Sequence, residues 1–473
     1  MFRRIAPLVA IVLVVAGCRL DGPNRDRTLG TQVESAAAKT ATLATLRDYM
    51  TAAAAGASSD ELWDRLPAEI RDSRAKDRWI ATTKAKSFTA TEKTLISKLV
   101  ASLGGKMLPA SSARWLTFKG NAKVAYAVLK RVSVSQVVRD YKVSLSPIEL
   151  ANSRALATAE SGTARPSTWN PGQKPNDIYF DNLWGLKAID AEGAWKKATG
   201  KNVVVAVIDT GLDASHPDLR GASYVNGYDF VEGLPLYAAY KDDWPESISI
   251  PHGTHVAGTI GAVANNGYGI IGVAPNVKLM PIRVLNENGS GYFTDIAAGI
   301  EWAANKGAKV ANLSLGGVGA GPSDYQWLAE NLGPSIGVAA SKGMAVVAAS
   351  GNDYFNESWS PYTTWPAADP RVIRVAAFGL DAETTDSYHQ AWFSTAAANV
   401  TVTAPGEEVL STLSPRGYAH WAGTSMATPH VSGVVALMKS INGALTPGQL
   451  RAYLKMGAID TPDSFDDYEA WSD

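Results

Sequence analysis

The sequence contains one cysteine and carries almost no net charge. Cys18 stands alone among 473 residues, so no disulfide can cross-link the chain. The 44 Lys and Arg residues nearly balance 45 Asp and Glu residues, for a formal net charge of −1. Such a chain has no bulk basic field, and we expect no nucleic-acid partner. Its 46% hydrophobic content and 42 glycines indicate a globular protein, long enough for two or three domains.

The apolar run at the N-terminus is short. It covers residues 5–16, follows two arginines, and is typical of a signal peptide rather than a membrane span. Val15-Ala16-Gly17-Cys18 resembles a bacterial lipobox, in which the cysteine is lipidated and becomes the new N-terminus. The alternative is an ordinary signal peptide with a cysteine near its cleavage point. In both cases we expect export; the lipobox predicts a signal peptide at 1–17 and a cell-envelope lipoprotein anchored to the membrane through Cys18.

The segment before residue 178 divides into three predicted parts. Residues 18–75, rich in Ala, Thr, Asp and Arg, predict a tether. Residues 76–154 predict a small α+β unit with elements in the ferredoxin-like order β-α-β-β-α-β. Residues 155–177 are small, polar and proline-bearing, which is typical of a linker that proteases cut.

Within the α+β unit, the pattern predicts individual elements. TATEKTLISKLVASLGG predicts a helix closed by Gly104-Gly105. The following stretch predicts a hairpin around Gly120-Asn121. A short helix at 133–141 and a strand at 143–150 complete the expected order.

Residues 178–473 change to alternating apolar runs and helical segments. The apolar runs are NVVVAVID, KLMPIRVL, AKVANLSL, GMAVVAAS and RVIRVAAFG. Such runs predict strands buried on both faces, hence an α/β fold with a mostly parallel sheet flanked by helices. In these sheets, ligands bind where the strands end at their carboxyl edge.

Three polar residues are expected at that edge. Asp209 closes NVVVAVID, and His252 precedes an apolar helix in HGTHVAGTIGAV. Ser425 lies in WAGTSMATPHVSGVVALM, where the early Pro429 indicates a helix start. Taken alone, Ser425 is typical of a helix N-cap. Together, however, the three residues supply a hydroxyl, a base and a buried acid, the parts of a nucleophilic triad.

Five motifs in order resemble the subtilases, the subtilisin-like serine proteases, over about residues 175–457. They are DTG at 209–211, HGTHVAGT at 252–259, SLGG at 314–317, AASGN at 348–352 and GTSMATPH at 423–430. The resemblance implies a serine endopeptidase in which Ser425 is the nucleophile, His252 the base and Asp209 the orienting acid. It also implies an oxyanion hole formed by Asn352 and the Ser425 N–H.

The same resemblance implies how protein and peptide substrates bind. Two edge segments would pair with an extended peptide: Gly289, Ser290 and Gly291, and Ser314, Leu315, Gly316 and Gly317. Asp353 follows Asn352 at the rim of the family's primary pocket, where it would favour a basic side chain. Residues 76–154 resemble the family's propeptide, which chaperones folding and blocks the cleft. Autocatalytic cleavage in the 155–177 linker would then release the core from its lipid anchor.

A structural calcium ion is also expected from the resemblance. Asp177, Asp218 and Asn266 match ligand positions, and the carbonyls of Ala264, Tyr268 and Ile270 would complete an oxygen-only shell. Because the exported chain has no disulfide, a bound ion would be a useful source of stability. The alternative is that Asn266 belongs to a simple turn and that Asp177 is a cap.

Several other interpretations remain beside this one. His255 follows His252 by three residues and would suggest a metal pair, but no third ligand is apparent, so a structural role is favoured. His216 and His430 are expected to pack or to form hydrogen bonds.

A catalytically silent binding protein on the same fold would lack a triad residue, and none is missing; a transpeptidase remains open. The family's closing strand and helix find no match in IDTPDSFDDYEAWSD at the C-terminus.

Overall fold

The computed structural model describes residues 13–14, 74–83, 85–146, 154–156, 169–237, 251–317, 322–353, 364–380, 388–395 and 399–459. The predictions for Cys18, most of the tether, most of the linker and the C-terminal residues 460–473 lie outside these ranges.

The described elements alternate along most of the chain. The strands are β1 (Leu13–Val14), β2 (Arg74–Thr83), β3 (Lys106–Met107), β4 (Trp115–Lys119), β5 (Val134–Ser144), β6 (Arg154–Leu156), β7 (Val204–Asp209), β8 (Ser223–Tyr224), β9 (Gly227–Asp229), β10 (Leu234–Leu236), β11 (Lys278–Arg283), β12 (Ser290–Tyr292), β13 (Val310–Leu313), β14 (Ala345–Ala349), β15 (Ile373–Leu380), β16 (Tyr388–Gln390), β17 (Val402–Pro405), β18 (Val409–Leu413), β19 (Gly417–Trp421) and β20 (Ala458–Ile459). The helices are α1 (Ala90–Ser102), α2 (Ala122–Leu129), α3 (Trp184–Ala188), α4 (Ala191–Trp195), α5 (Pro217–Arg220), α6 (His252–Gly261), α7 (Phe293–Asn305), α8 (Pro322–Asn331), α9 (Pro334–Ser341), α10 (Thr424–Ile441) and α11 (Pro447–Gly457), with a 3₁₀ turn at Phe180–Asn182.

A ten-stranded sheet forms the centre of the C-terminal part. Its middle strands run in the order β11-β7-β13-β14-β15, and each neighbouring pair is parallel. Strands β10 and β16 join antiparallel at the edges. The predicted α/β fold with a mostly parallel sheet is therefore confirmed.

Helices cover both faces of this sheet. Successive residues of a strand point to opposite faces, so each strand contributes side chains to two apolar cores. Val205 and Val207 of β7 pack into one core with residues of α6 and α10. Ala206 and Ile208, the residues between and after them, pack into the other core with residues of α7 and α9. All residues of β13 and β14 are buried, which explains why these strands read as unbroken apolar runs.

Residues 74–144 form a second, antiparallel sheet in the order β5-β2-β4-β3, covered by α1 and α2. The predicted order of elements is found. Thr89 and Glu92 form a capping box at the start of α1, and Gly104 follows its end with a positive φ of 79°.

Two assignments in this unit were wrong. The predicted hairpin around Gly120-Asn121 is a strand followed by α2, because the Asn121 side chain accepts a hydrogen bond from the Val124 N–H and caps a helix. The predicted helix at 133–141 and the first two residues of the predicted strand at 143–150 belong to one strand, β5, whose backbone pairs with β2. Its β-branched residues, including Val134 and Val138, suit a half-buried strand.

Backbone pairing joins the N-terminal unit to the C-terminal part of the chain. β12 of the C-terminal part extends the smaller sheet by pairing antiparallel with β5, with Ser290 opposite Ser144. Ile80 and Val138 of the small unit pack in the same apolar core as Phe293 of α7. The N-terminal unit therefore docks directly beside the carboxyl edge of the large sheet.

Candidate active site

Asp209 and His252 form a buried pair at that edge. Asp209 is the last residue of β7, and its Oδ1 accepts a hydrogen bond of 2.7 Å from the Thr210 N–H. The same oxygen lies 2.8 Å from Nδ1 of His252, the first residue of α6, and neither side chain is exposed. The carboxylate requires a proton on Nδ1, so Nε2 is the basic nitrogen of the neutral ring.

Ser425 is the second residue of α10 and not its N-cap, a position held by Gly423. Pro429, four residues further on, has no N–H to donate to the Ser425 carbonyl. Ser314, directly after β13, fills that gap: its hydroxyl donates to the Ser425 carbonyl at 2.7 Å. The Ser425 hydroxyl in turn donates to the Ser314 carbonyl at 3.0 Å. Two reciprocal hydrogen bonds thus hold Ser425 at the head of the helix.

Asn352 is oriented by the residue before this serine. It follows β14 by three residues, and its Oδ1 accepts hydrogen bonds from the Thr424 N–H at 2.9 Å and from the Thr424 hydroxyl at 2.8 Å. Because the oxygen is committed to Thr424, the amide nitrogen is directed elsewhere. Thr424 was not among the predicted site residues, although it lies inside the GTSMATPH motif directly before Ser425 and its hydroxyl was a usable signal.

Ser425, Thr424 and Asn352 line a cavity of about 230 Å³. Its walls come from the sheet edge, from the start of α10 and from the N-terminal unit: Leu315, Gly316, Gly317, Ala349, Gly351, Asn352, Asp353, Thr364, Thr424, Ser425, Ser144, Leu145 and Ser146. Partial burial raises the pKa of Asp353. The structure therefore brings together Ser425, Asn352 and the glycines of one predicted edge segment.

The other predicted edge segment lies beside the same cavity. Gly289, Ser290 and Gly291 run alongside β5, and the Gly289 carbonyl accepts a hydrogen bond of 3.0 Å from the Leu145 N–H. A Cβ on Gly291 would lie 2.3 Å from the Val284 carbonyl oxygen, so only glycine fits there. An extended chain thus occupies this edge in the structure.

Trp421 links the two histidines of α6. Its ring stacks on His255 with centroids 4.7 Å apart and planes within 7°, and it also faces the His252 ring at 6.0 Å. His255 Nε2 lies 3.0 Å from the Ala419 carbonyl, and burial lowers the pKa of His255 to about 3. His255 is therefore a neutral structural residue that supports the packing around His252.

Asp177 and Asp218 lie on either side of Asn266. Asp177 accepts hydrogen bonds from the N–H groups of Asn265 and Asn266, and Asp218 accepts from the Asn266 amide and from the Tyr418 hydroxyl at 2.9 Å. Burial raises the pKa of Asp177 to about 7 and that of Asp218 to about 6.

No cationic side chain among the described residues is a main influence on either carboxylate. Two neighbouring carboxylates without a cationic partner offer oxygen atoms, which are the ligands that a hard cation prefers. Within the described ranges, this site included, no three His, Cys, Asp or Glu side chains converge on a metal-sized site.

The remaining histidines of interest form hydrogen bonds, as expected. His216 Nε2 lies 2.9 Å from the Gly417 carbonyl, and His430 Nδ1 lies 2.9 Å from the Met426 carbonyl. Burial lowers the pKa of both rings to about 4.

Within the ranges that the structure covers, no helix has the length and apolar character of a membrane span.

Known proteins resemble this chain in both sequence and structure. Thermitase of Thermoactinomyces vulgaris is 40% identical over 267 residues, which cover 56% of this chain and 85% of thermitase. An extracellular protease of Xanthomonas campestris pv. campestris is 39% identical over 329 residues, 61% of this chain and 53% of that protein. The crystal structure of fervidolysin from Fervidobacterium pennivorans, described as a keratinolytic enzyme related to subtilisin, superposes with a TM-score of 0.61 and 29% identity over 80% of this chain and 57% of fervidolysin.

The family comparison covers the region that holds Asp209, His252 and Ser425. The profile described as "Subtilase family" matches residues 200–470, which is more than half of the chain. Since the fold, the relatives and this match agree, the chain belongs to the subtilase family and is a subtilisin-like serine endopeptidase.

Proposed function

We propose that this endopeptidase is exported and hydrolyses proteins with Asp209, His252 and Ser425 as its triad. The observation that carries the proposal is the buried 2.8 Å contact between Asp209 Oδ1 and His252 Nδ1 at the sheet edge. The Ser425 hydroxyl turns from the Ser314 carbonyl toward Nε2 of His252, gives up its proton and attacks the scissile carbonyl. The imidazolium, whose positive charge Asp209 stabilises, protonates the leaving amine as the C–N bond breaks. Water, activated in the same way by His252, then hydrolyses the ester at Ser425 and restores its hydroxyl.

Asn352 and the Ser425 backbone are proposed to stabilise the oxyanion. Thr424 fixes the Asn352 amide through two hydrogen bonds to Oδ1, which supports the donation of Nδ2 hydrogens toward the cavity. The Ser425 N–H lies in the first turn of α10, where helix N–H groups lack helical partners. Two fixed donors directed at the developing negative charge are worth more in a partly dry cleft than in water.

Substrates are proposed to bind as extended strands between the two edge segments. The pairing of residues 142–144 of the chain itself with β12 supports this mode, since an extended segment already uses that edge. Gly316 and Gly317 line the cavity on the other side. Recognition through backbone pairing favours unfolded or loop segments and tolerates many sequences.

Residues 76–154 are proposed to be a propeptide that keeps the enzyme inactive before processing. Ser144, Leu145 and Ser146 contribute to the wall of the cavity that also contains Ser425. A segment in that position competes with any substrate for the same edge. The structural match to fervidolysin covers 80% of this chain, more than the matched family region alone, which supports a shared N-terminal unit.

Export and membrane anchoring are proposed from the N-terminal sequence. The basic and apolar segments at 1–17 and the lipobox at Cys18 are its basis, and the extracellular protease of Xanthomonas supports a secreted relative. If the precursor is anchored through Cys18, cleavage after the propeptide releases the catalytic core from the membrane.

Calcium is proposed as a structural ion at Asp177, Asp218 and Asn266. Bound there, the ion would supply positive charge between two buried carboxylates and tie residues 177 and 266 together. The carbonyls of Ala264, Tyr268 and Ile270 remain candidates for the rest of the shell. The site takes no part in the proposed chemistry.

Labelling with a fluorophosphonate probe tests the proposal most directly. The wild-type chain is compared with Ser425→Ala, and precursor size is followed in parallel by electrophoresis. We expect wild type to be labelled and shortened, and the variant to remain unlabelled and full length. If wild type is neither labelled nor processed, the proposed protease function is wrong.

A further inference from the structure

Arg78 connects the N-terminal unit to the catalytic domain through a buried cluster of charges. Its Nε lies 2.6 Å from Asp140 of the same unit, and its Nη2 lies 2.6 Å from Asp295 of α7. The hydroxyl of Thr294 accepts a hydrogen bond from Arg78 at 2.8 Å and donates one to Asp140. The guanidinium also stacks 4.2 Å above the ring of Tyr292, in the edge strand β12.

One cation serves two carboxylates in this cluster. Arg78 is 5% exposed, Asp140 is fully buried and Asp295 is 2% exposed. When both carboxylates are ionised, the cluster has one negative charge more than it has positive charge, in an interface that excludes water. Such an excess is costly, and one added proton removes it.

The surrounding charges do not cancel this excess. Asp229 also faces Asp295, but Arg283 pairs with it at 3.0 Å. Asp77 of the N-terminal unit also acts electrostatically on Tyr292 and adds negative charge. Burial raises the pKa of Asp295 to about 6, against the opposing effect of Arg78. Burial also raises the pKa of Asp140.

We propose that Arg78, Asp140 and Asp295 form a proton-dependent lock that holds the N-terminal unit on the catalytic domain more tightly in mildly acidic than in neutral solution. The inference rests on the proposed propeptide role of the N-terminal unit. Departure of that unit removes Arg78 and Asp140 and opens Asp295 to water, where its pKa returns toward the ordinary value of an aspartate.

The direction of the pH effect follows from linkage. Asp295 has a raised pKa in the docked state and an ordinary one in the separated state, so docking takes up a proton. Docking is therefore favoured fully below the ordinary pKa and is weakened as the pH rises through about 6. Neutral or alkaline conditions thus promote release of the N-terminal unit, and acidic conditions hold it in place.

Release is measured on the full chain with the fluorophosphonate probe. Wild type and Asp295→Asn are purified at pH 5 and transferred to pH 5, 6, 7 and 8, and the rate of Ser425 labelling is recorded. His252 affects the labelling rate of both chains alike, so the ratio of the two rates measures only the effect of the lock. We expect the ratio of the wild-type rate to the variant rate to rise about tenfold between pH 5 and pH 8, the effect of one pKa unit.

Two further variants serve as controls for the lock. Arg78→Met leaves two carboxylates without a cation, so labelling is expected to be faster than wild type at every pH. Asp181→Asn makes the same acid-to-amide change at an exposed position paired with Lys174 and is expected to follow wild type. Equal final labelling in all chains shows that each one is folded.

The outcomes separate the lock from the proposed function. Labelling of all chains with a wild-type to Asp295→Asn ratio that does not vary with pH overturns the lock and leaves the protease intact. A ratio that falls as the pH rises overturns it as well. Absence of labelling in every chain at every pH overturns the proposed function, and the lock with it.

Discussion

The Ser314 hydroxyl donates a 2.7 Å hydrogen bond to the backbone carbonyl of Ser425. In an uninterrupted helix that carbonyl would accept from the residue four positions later, which here is Pro429. Because the proline has no N–H, the Ser314 hydroxyl replaces the missing helical donor. The Ser425 hydroxyl in turn donates a hydrogen bond to the Ser314 carbonyl. The head of α10 is tied to the end of β13 by this exchange, so the positions of helix and strand are fixed against each other.

Replacing Ser314 by alanine is expected to affect both stability and activity. The buried Ser425 carbonyl would lose its partner, at a cost of about 1–3 kcal/mol in the free energy of unfolding. Because the same change loosens Ser425, we also expect a fall in kcat of about tenfold, which is about 1.4 kcal/mol in the activation free energy. Denaturant unfolding and steady-state kinetics on a peptide substrate measure the two effects.

Ser335→Ala provides a matched control for Ser314→Ala. Ser335 is also buried, and its hydroxyl donates a 2.7 Å bond to the Leu332 carbonyl at the start of α9. This variant should lose stability without losing kcat. Equal losses of kcat in both variants would mean that the Ser314 effect is general destabilisation.

Substituting Asn352 by aspartate tests the oxyanion assignment. The new side chain keeps an oxygen for the two bonds from Thr424 but lacks the amide hydrogens. We expect kcat to fall by about 10²–10³ while KM changes little, because the lost interaction forms mainly in the transition state. A variant whose KM rises while kcat is kept would instead place Asn352 in ground-state binding.

The sequence predicted the large sheet better than the small unit. The apolar runs ending in Asp209 and Ala349 gave unambiguous strands because both faces of each strand are covered by helices. In the N-terminal unit, residues 122–129 and 134–144 were misassigned because alternation and helical spacing overlap in short segments. The deciding contact at 122 is local, a cap from Asn121, whereas the one at 134–144 is pairing with a distant strand.

Motifs in the sequence predict candidate site residues but not the contacts that hold them in place. Asp209 ends an apolar strand pattern, and His252 and Ser425 stand at the starts of apolar helix patterns, so the fold class predicts that all three lie at one edge of the sheet. The ring of Trp421 on the two histidines and the bond from Ser314 depend on side chains that are more than a hundred positions apart in the chain. No local pattern specifies such contacts.

Asp353 is expected to give a preference for basic residues before the cleaved bond. Its carboxylate lines the cavity beside Asn352, and a Lys or Arg side chain there would meet an opposite charge. Because part of this region faces solvent, we expect a modest gain in kcat/KM of about fivefold over a neutral residue, removed in Asp353→Asn. Cleavage of a peptide library followed by mass spectrometry measures the preference.

The preference should also depend on pH. Partial burial raises the pKa of Asp353, so the carboxylate loses its charge at a higher pH than an ordinary aspartate. The basic preference is therefore expected to be full at neutral pH and to decline as the pH falls through that raised value. A library without enrichment of Lys or Arg at pH 8 contradicts the assignment.

Removal of calcium is expected to lower the thermal stability of the processed enzyme. An ion at a concentration one hundred times its Kd stabilises the native state by about 2.7 kcal/mol, which corresponds to a Tm shift of roughly 5–10 °C for a domain of this size. Asp218→Asn should lower the Tm and abolish its response to calcium, whereas Asp181→Asn should keep the response. An unchanged Tm of wild type in excess chelator would refute the proposed ion.

The first autocatalytic cut is expected after Ser146 and before Arg154, upstream of most of the predicted linker. Leu145 and Ser146 line the cavity that contains Ser425, and Arg154–Leu156 pair antiparallel with β19, the strand that leads to Ser425. One described segment therefore lines the cavity and the next pairs with the strand before Ser425, which favours cleavage between these segments, with the remaining linker at 155–177 trimmed later. N-terminal sequencing of the earliest product identifies the cut, and Ser425→Ala should remain intact. A first product that begins within 157–177 would show that the predicted linker is cut first.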